Sequence, residues 1–196
     1  MAVMMILDWH GVSIEDYDRV EDEIGISGDD DAPEGLISHV AAVDEDGEMV
    51  IADIWESDEA LATFIETKLG PALQKLALPE SEPRIMPVHN RLRGSADEAD
   101  ALILIELEDT STDTYDEMAS QMEEHAGDGS GHPSYTHAVA TEGSTMIVLD
   151  EWESADHFSR FMEERITTAA PEGMGQPKVR ALRVYNRVRG KAHAGA

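Results

Sequence analysis

Histidine and aspartate recur at matching places in the two halves of this 196-residue sequence. His39 is followed by Asp53 in the first half, and His137 is followed by Asp150 in the second. A histidine that a carboxylate orients can carry protons near neutral pH, which is the chemistry of a general acid or base. The same pair can instead serve only as a cross-strand contact that stabilises a sheet. Both interpretations stay open, and these four residues are the candidate catalytic residues.

Aromatic and amide side chains recur beside the two pairs and have the chemistry to hold a planar ligand. The tripeptide that begins at Trp55 recurs at Trp152, although a large aromatic residue is also a common core or interface anchor. His89-Asn90 near the end of the first half corresponds to Tyr185-Asn186 in the second. The candidate ligand-binding residues are therefore Trp55, Trp152, His89, Tyr185, Asn90 and Asn186. The two halves differ at His89 against Tyr185 and at Trp9 against Leu107. If only one half is active, these positions are candidates for the distinction, and the alternative for His89 and Tyr185 is an edge-strand surface.

The sequence predicts neither a metal site nor a cofactor. Histidine with carboxylates can bind zinc, iron or manganese, but no HxxxH or HExxH spacing is present. The run Asp29 to Asp31 lacks the terminal glutamate of a calcium loop. The sequence also has no cysteine and no glycine-rich phosphate motif.

An internal repeat explains why these residues recur. Tyr17 and Tyr115 are 98 positions apart, and the later Asn90 and Asn186 are 96 apart, so the order of matching residues is kept with two single-residue deletions. The predicted organisation is a first ferredoxin-like repeat over residues 1–94, a linker over 95–100, a second repeat over 101–190 and a flexible tail over 191–196.

Each repeat predicts the element order β-α-β-β-α-β. Apolar runs predict first strands at Val3–Trp9 and Ala101–Leu107, and final strands are predicted at Arg84–Asn90 and Val179–Asn186. Four serines can cap the helices, namely Ser13, Ser57, Ser111 and Ser154. The predicted fold class is α+β, with two tandem ferredoxin-like units.

Turn lengths predict which residues face each other across the central hairpins. A three-residue loop, Glu45 to Gly47, pairs His39 with Asp53, and a two-residue turn, Glu142-Gly143, pairs His137 with Val148. In either register the histidine, aspartate and tryptophan of a repeat share one sheet face. The small and aliphatic side chains of the opposite face are expected to carry the covering helices.

Charge limits the partners of the protein. The chain has 42 acidic residues against 14 Lys and Arg, a formal net charge of -28, which disfavours nucleic acid and anionic lipid surfaces. No apolar run approaches the roughly 20 residues that a transmembrane helix needs, so no membrane association and a cytoplasmic location are expected. Two explanations of the acidity stay open, an adaptation to high salt and an ordinary acidic protein.

The stretch from Asp53 to Ala60, DIWESDEA, resembles the strand-to-helix junction of the dimeric α+β barrel superfamily, and of antibiotic-biosynthesis monooxygenases within it. The uncharacterised bacterial members are the most similar. The resemblance implies that two ferredoxin-like units pack their antiparallel sheets as a dimeric barrel within one chain. A monomer is therefore expected, with further dimerisation left open.

The same resemblance implies a protein that binds a small aromatic ligand. It suggests a cofactor-independent monooxygenase or isomerase acting on an aromatic or polyketide-like compound, and the alternative is a noncatalytic ligand-binding or stress-related structural protein. Whether the chain is an enzyme stays undecided. Haem-degrading members carry an axial histidine on the second helix, but Leu61 to Ile65 contains none and only the second repeat has His157 there. Haem is therefore not predicted.

Overall fold

The computed structural model describes residues 1–79, 81–94, 96, 98–126, 132–166 and 176–191. Two positions of the predicted linker, 95 and 97, and most of the predicted tail, 192–196, lie outside the described residues. No helix among the described residues combines the length and the apolar character needed to cross a membrane.

The sheet is a closed antiparallel barrel of eight strands with the neighbour order β1-β3-β2-β8-β5-β7-β6-β4. The strands are β1 (Val3–Trp9), β2 (Leu36–Val43), β3 (Met49–Trp55), β4 (Arg84–Arg93), β5 (Ala101–Leu107), β6 (Thr136–Glu142), β7 (Thr145–Trp152) and β8 (Lys178–Arg189). The predicted first strands are confirmed. The last strands, β4 and β8, run three residues further than predicted, past the Asn-Arg sequence that each contains.

Five α-helices lie among the described residues: α1 (Ile14–Ile24), α2 (Asp58–Phe64), α3 (Gly70–Leu76), α4 (Thr112–Ala126) and α5 (Ala155–Phe161). A π-helical turn, Ile65–Leu69, joins α2 to α3, and a second one, Met162–Ile166, follows α5.

The predicted serine caps are present at all four helix starts. The Ser13 hydroxyl accepts a hydrogen bond from the amide of Asp16, whose carboxylate accepts from the Ser13 amide in return, which satisfies two amides that the first turn leaves unpaired. The hydroxyls of Ser57, Ser111 and Ser154 accept in the same way. Gly25 ends α1 at φ +76°, a left-handed conformation that glycine adopts at little cost.

The chain divides into two compact units. Unit 1 contains residues 1–87 and 184–196, and unit 2 contains residues 88–183. The units differ from the sequence repeats in their last strand. Within unit 1, residues 84–87 of β4 pair with β1, and the end of β8 lies beside β2, where the Gly190 amide donates to the Ile37 carbonyl. Within unit 2, the rest of β4 pairs with β6 and the start of β8 pairs with β5.

The hairpin registers bring each histidine opposite its aspartate. The prediction for His39 is confirmed, since it pairs with Asp53 across β2 and β3. The prediction for His137 is wrong, because the turn is Gly143-Ser144 rather than Glu142-Gly143, so that His137 pairs with Asp150 itself. The register moves by two positions, which leaves the same residues on each face.

The helices cover the sheet face opposite to the one that was expected. In unit 1, the buried cluster that includes Tyr17 and Val20 of α1 and Leu61 of α2 also contains Ile51 and Trp55 of the sheet. The small residues of the other face, such as Val40 and Ala52, are buried outside this cluster. Side-chain size and polarity did not predict which sheet face the helices cover, because the polar histidine and aspartate are hydrogen-bonded beneath a helix and so tolerate burial.

Candidate functional site

A chain of hydrogen bonds runs through the helix-covered face of unit 1. The Tyr17 hydroxyl of α1 lies 2.9 Å from His39 Nε2, and His39 Nδ1 lies 2.8 Å from Asp53 Oδ1. The other carboxylate oxygen of Asp53 accepts from Trp55 Nε1 at 3.2 Å. Tyr17, Asp53 and Trp55 are buried, and His39 is partly buried.

The last strand of the chain completes this group. Asn186 of β8 donates from Nδ2 to the Tyr17 hydroxyl at 2.9 Å. Since the oxygen of Tyr17 accepts this bond, its own proton is available to donate to His39 Nε2, which places the ring proton of His39 on Nδ1, facing Asp53. Burial, followed by the negative charge of Glu21, raises the pKa of Tyr17 well above its ordinary value of 10.0. Tyr17 therefore acts as a phenol and not as a phenolate.

Glu21 lies one helical turn after Tyr17 on the same face of α1 and lines the same cavity. Burial raises the pKa of its carboxyl, a positive charge on His39 acts against that rise, and the negative charge of Asp53 adds to it. Its buried Oε2 has no hydrogen-bond partner among the described residues. A carboxyl with a raised pKa in a cavity is suited to take up and return a proton.

The cavity of unit 1 has a volume of about 150 Å³. Its polar wall is formed by Tyr17, Glu21, His39, Asp53 and Ser81. The remaining wall is mostly apolar and includes three aromatic side chains, Trp9, Trp55 and Phe64. The ring of Trp55 lies 5.1 Å from that of Phe64, and Trp9 is fixed by a hydrogen bond from Nε1 to the Pro79 carbonyl. A small apolar compartment with polar groups on one side is the usual form of a small-molecule site.

Unit 2 repeats the central hydrogen bonds. The Tyr115 hydroxyl lies 2.8 Å from His137 Nε2, and His137 Nδ1 lies 2.6 Å from Asp150 Oδ1. Asn90 of β4 donates to the Tyr115 hydroxyl at 3.2 Å, as Asn186 does to Tyr17. Ala119 stands 98 positions after Glu21, so unit 2 has no counterpart of that carboxyl.

A second histidine occupies the space beside the pair in unit 2. The ring of His132 lies 4.6 Å from that of His137, 5.7 Å from Trp152 and 5.4 Å from Phe161, measured between ring centroids. Burial lowers the pKa of His132 to about 4, an effect that the charge of Asp150 partly offsets. The corresponding stretch of unit 1, Pro33 to Leu36, contains no histidine.

Trp152 differs from Trp55 in its hydrogen bonding. Trp152 is fully buried against Phe158 and Phe161, and its Nε1 has no partner among the described residues. Trp55 Nε1 in contrast donates to Asp53. The two tryptophans are therefore not equivalent, and of the two only Trp55 lines the cavity of unit 1.

His89 and Tyr185 lie at the outer edge of the two groups. The ring of Tyr185 packs edge-on against Tyr17, and its hydroxyl donates to Asp18 at 2.8 Å. The ring of His89 packs edge-on against Tyr115, and its Nε2 lies 2.8 Å from Asp116 Oδ1. Neither residue lines the cavity. The difference between them therefore changes which ring packs against the buried tyrosine of each unit.

The structure thus brings together most of the predicted site residues and adds others. His39, Asp53, Trp55 and Asn186 converge in unit 1, and His137, Asp150 and Asn90 converge in unit 2. Sequence reasoning missed Glu21, Tyr17 as a polar group and His132. Glu21 had a usable signal, because it is an acid on the apolar face formed by Tyr17, Val20 and Ile24. His132 had none, since it lies in a loop outside the matching residues.

Comparison with known proteins identifies the fold. No protein-family model matches the sequence, and no curated protein matches it either. Among solved structures, the "putative monooxygenase" of Lactobacillus acidophilus superposes with a TM-score of 0.68 at 12% identity, covering 96% of each chain. A Listeria monocytogenes ferredoxin-fold protein related to antibiotic biosynthesis monooxygenases superposes at 0.53 with 8% identity, over 95% of this chain and 96% of the other.

An anthrone oxidase-like protein is also similar, with a TM-score of 0.52, 16% identity and coverage of 100% of this chain and 94% of the other. At these identities the likeness concerns the fold. The chain has the ferredoxin-like α+β barrel fold of monooxygenase-related proteins, as its sequence predicted.

Proposed function

We propose that unit 1 binds a small, mainly apolar aromatic compound in its cavity and transfers protons to and from it. The observation that carries this proposal is the cavity itself, where an apolar wall meets Tyr17, Glu21 and His39. The cavity volume is about 150 Å³, which is enough for one benzene-sized ring. A single-ring compound therefore fits better than a polycyclic polyketide, for which pockets of roughly 300 Å³ or more are typical.

The polar groups support proton transfer at the ring. Glu21 takes a proton from an acidic position of the ligand, and its raised pKa makes it a stronger base than an ordinary glutamate. When a ligand is bound, the Tyr17 phenol turns its proton from His39 Nε2 to the ligand oxygen on which negative charge develops. His39, held by Asp53, positions Tyr17 and can pass a proton along the chain.

Two reactions follow from such proton removal. In an isomerase, the proton returns to another carbon of the ring. In a cofactor-independent monooxygenase, the ring anion reduces molecular oxygen: a phenol gains one oxygen atom and becomes a quinone, and the second oxygen atom leaves as water with the two hydrogens that the ring loses. The substrate supplies all the electrons. The names of the monooxygenase-related structural neighbours favour oxygenation.

The test is oxygen uptake and quinone absorbance with a panel of single-ring phenols and quinols, corrected for reaction without protein. His39→Gln and Glu21→Gln should each lower turnover by about 10²–10⁴-fold, the usual contribution of a general acid or base. His137→Gln is the matched control in unit 2 and should change it little. Unchanged turnover in both unit 1 variants would remove these residues from the mechanism.

A noncatalytic ligand-binding role is the second candidate. The observation that favours it is the His137–Asp150 pair of unit 2, where the His132 ring packs against the histidine, so such a pair can be kept for structure alone. In that case a native mass spectrum of freshly purified protein would show a retained small molecule, the phenol panel would give no turnover, and His39→Gln would lower affinity only.

We further propose that the chain acts as a cytoplasmic monomer. Both groups of hydrogen bonds are complete within one chain. A solution mass near 21.5 kDa is expected, and twice that mass would show that two chains associate.

A further inference from the structure

A second group of ligand-type atoms lies in unit 2, outside the cavity described above. His132, His137 and Asp150 each offer one nitrogen or oxygen, and these atoms all lie within 4.8 Å of one another. They come from the loop before β6, from β6 and from β7. His137 and Asp150 are buried and His132 is partly buried, so the group is a built part of the unit rather than a surface cluster.

The carboxylate of Asp150 is used differently from that of Asp53. Asp53 accepts from His39 through Oδ1 and from Trp55 through Oδ2. Asp150 accepts from His137 through Oδ1, but no hydrogen bond joins it to Trp152, whose Nε1 has no partner in the described part of the chain. Asp150 can therefore rotate its carboxylate toward a cation without breaking a bond to tryptophan.

Both imidazoles already have the outer contacts that orient metal ligands. His132 Nδ1 accepts from the Ser134 amide at 3.3 Å and lies 2.8 Å from Ser134 Oγ, and His137 Nε2 lies 2.8 Å from the Tyr115 hydroxyl. Ligating histidines usually hold their second nitrogen in such a contact, which fixes ring orientation. With a metal bound to His132 Nε2 and His137 Nδ1, the ring protons would lie on His132 Nδ1 and His137 Nε2, where the hydroxyl oxygens of Ser134 and Tyr115 can accept them.

A transition metal would draw the three ligand atoms together by up to about 1.5 Å, since they now lie within 4.8 Å of one another. Bonds of 2.0–2.2 Å in tetrahedral geometry place neighbouring ligand atoms about 3.3 Å apart. His137 Nδ1 and Asp150 Oδ1, now 2.6 Å apart with a proton between them, would separate by less than about 1 Å as the metal enters, and the ring proton would move to Nε2, facing Tyr115. Two nitrogens and one carboxylate match zinc or iron(II) and not magnesium or calcium, which prefer oxygen ligands.

We propose that unit 2 binds one divalent transition-metal ion through His132, His137 and Asp150, with Ser134 and Tyr115 as outer supports. Unit 1 has no equivalent site, because Pro33 to Leu36, the stretch that corresponds to the loop of His132, contains no histidine. Three protein ligands leave a coordination position for water or a small anion, the arrangement of catalytic rather than structural metal sites.

Cobalt(II) and zinc titrations test this proposal in molar KCl, which screens weak binding to the acidic surface. The full chain should bind one cobalt ion, give the visible absorption bands of nitrogen-ligated cobalt, and lose them when one equivalent of zinc is added. Excess magnesium should not compete. Absence of these bands, or cobalt displaced as readily by magnesium as by zinc, would overturn the proposal.

Matched variants locate the site. His132→Phe keeps a ring against Trp152 and Phe161 but cannot bind a metal. Ser134→Ala removes an outer contact and should lower zinc affinity by about 10–100-fold, and His132→Phe should lower it by more. His157→Phe alters another histidine beside Trp152 and should leave affinity unchanged. If His132→Phe does not fold by circular dichroism, His132→Gln replaces it. Equal zinc affinity in the position-132 variant and the unaltered chain would contradict the site.

Discussion

The side-chain amide of Asn186 lies 2.9 Å from the Tyr17 hydroxyl, although the two residues are 169 positions apart. Asn90 and Tyr115 form the matching contact in the other unit. Each buried tyrosine therefore takes its amide partner from the final strand of the other sequence repeat. The duplicated sequence and the strands β4 and β8 together supply the Asn, Tyr, His and Asp side chains that are hydrogen-bonded in each unit.

Removing this amide should destabilise the protein. Asn186→Ala takes away a donor to a buried phenol oxygen, and a loss of about 1 kcal/mol in the free energy of unfolding is expected. Asn90→Ala removes the longer bond of 3.2 Å and should cost less. Urea unfolding followed by circular dichroism measures both. A larger loss of stability in the Asn90 variant would contradict this prediction and show that the shorter bond does not contribute more to stability.

The two aspartates should differ in their tolerance of an amide. In Asp53→Asn, an NH2 group replaces one of the two carboxylate oxygens that accept from His39 and Trp55. Because NH2 cannot accept a hydrogen bond, the donor that faces it is left buried and unpaired. In Asp150→Asn, the amide oxygen can still accept from His137, and Trp152 loses nothing. We expect Asp53→Asn to be more destabilising by about 1 kcal/mol. Equal losses in urea unfolding would show that the Trp55 bond contributes nothing.

Glu21 should make stability depend on pH. Its folded pKa is raised, so the folded chain holds this proton more tightly than the unfolded chain does. The free energy of unfolding of the unaltered protein, compared with that of Glu21→Gln, should be highest below the ordinary glutamate pKa of 4.5. This difference should fall as the pH rises through the raised pKa. Glu66→Gln, on an exposed position, is the control and should show no such difference. A Glu21→Gln advantage that grows toward acid pH would reverse the predicted sign.

Salt should stabilise the protein if its acidity is an adaptation to a salty cytoplasm. A net charge of -28 repels itself in the compact state, and dissolved ions screen that repulsion. The melting temperature should rise steadily between low and molar KCl. A melting temperature that does not change over this range would favour the other explanation, an ordinary acidic protein.

Local patterns predicted the elements well because their causes are local. The serine caps and the apolar run of β1 act within a few residues, and the three-residue loop after Asp44 set the register of His39 and Asp53. The covered face and the exchange of last strands depend on long-range packing that no short pattern records. Glu21 had a local signal, as an acid among the apolar residues of α1, whereas His132 became visible only once its loop was placed beside His137.

The measurement that tests the central claim most directly is anomalous diffraction from a crystal soaked in a bromophenol, collected at the bromine absorption edge. The account predicts a bromine peak in the unit 1 cavity, with the ring between Trp55 and the Tyr17–Glu21 side of the wall, and no peak beside His137. A cavity without bromine, or a peak at His137 instead, would contradict the account.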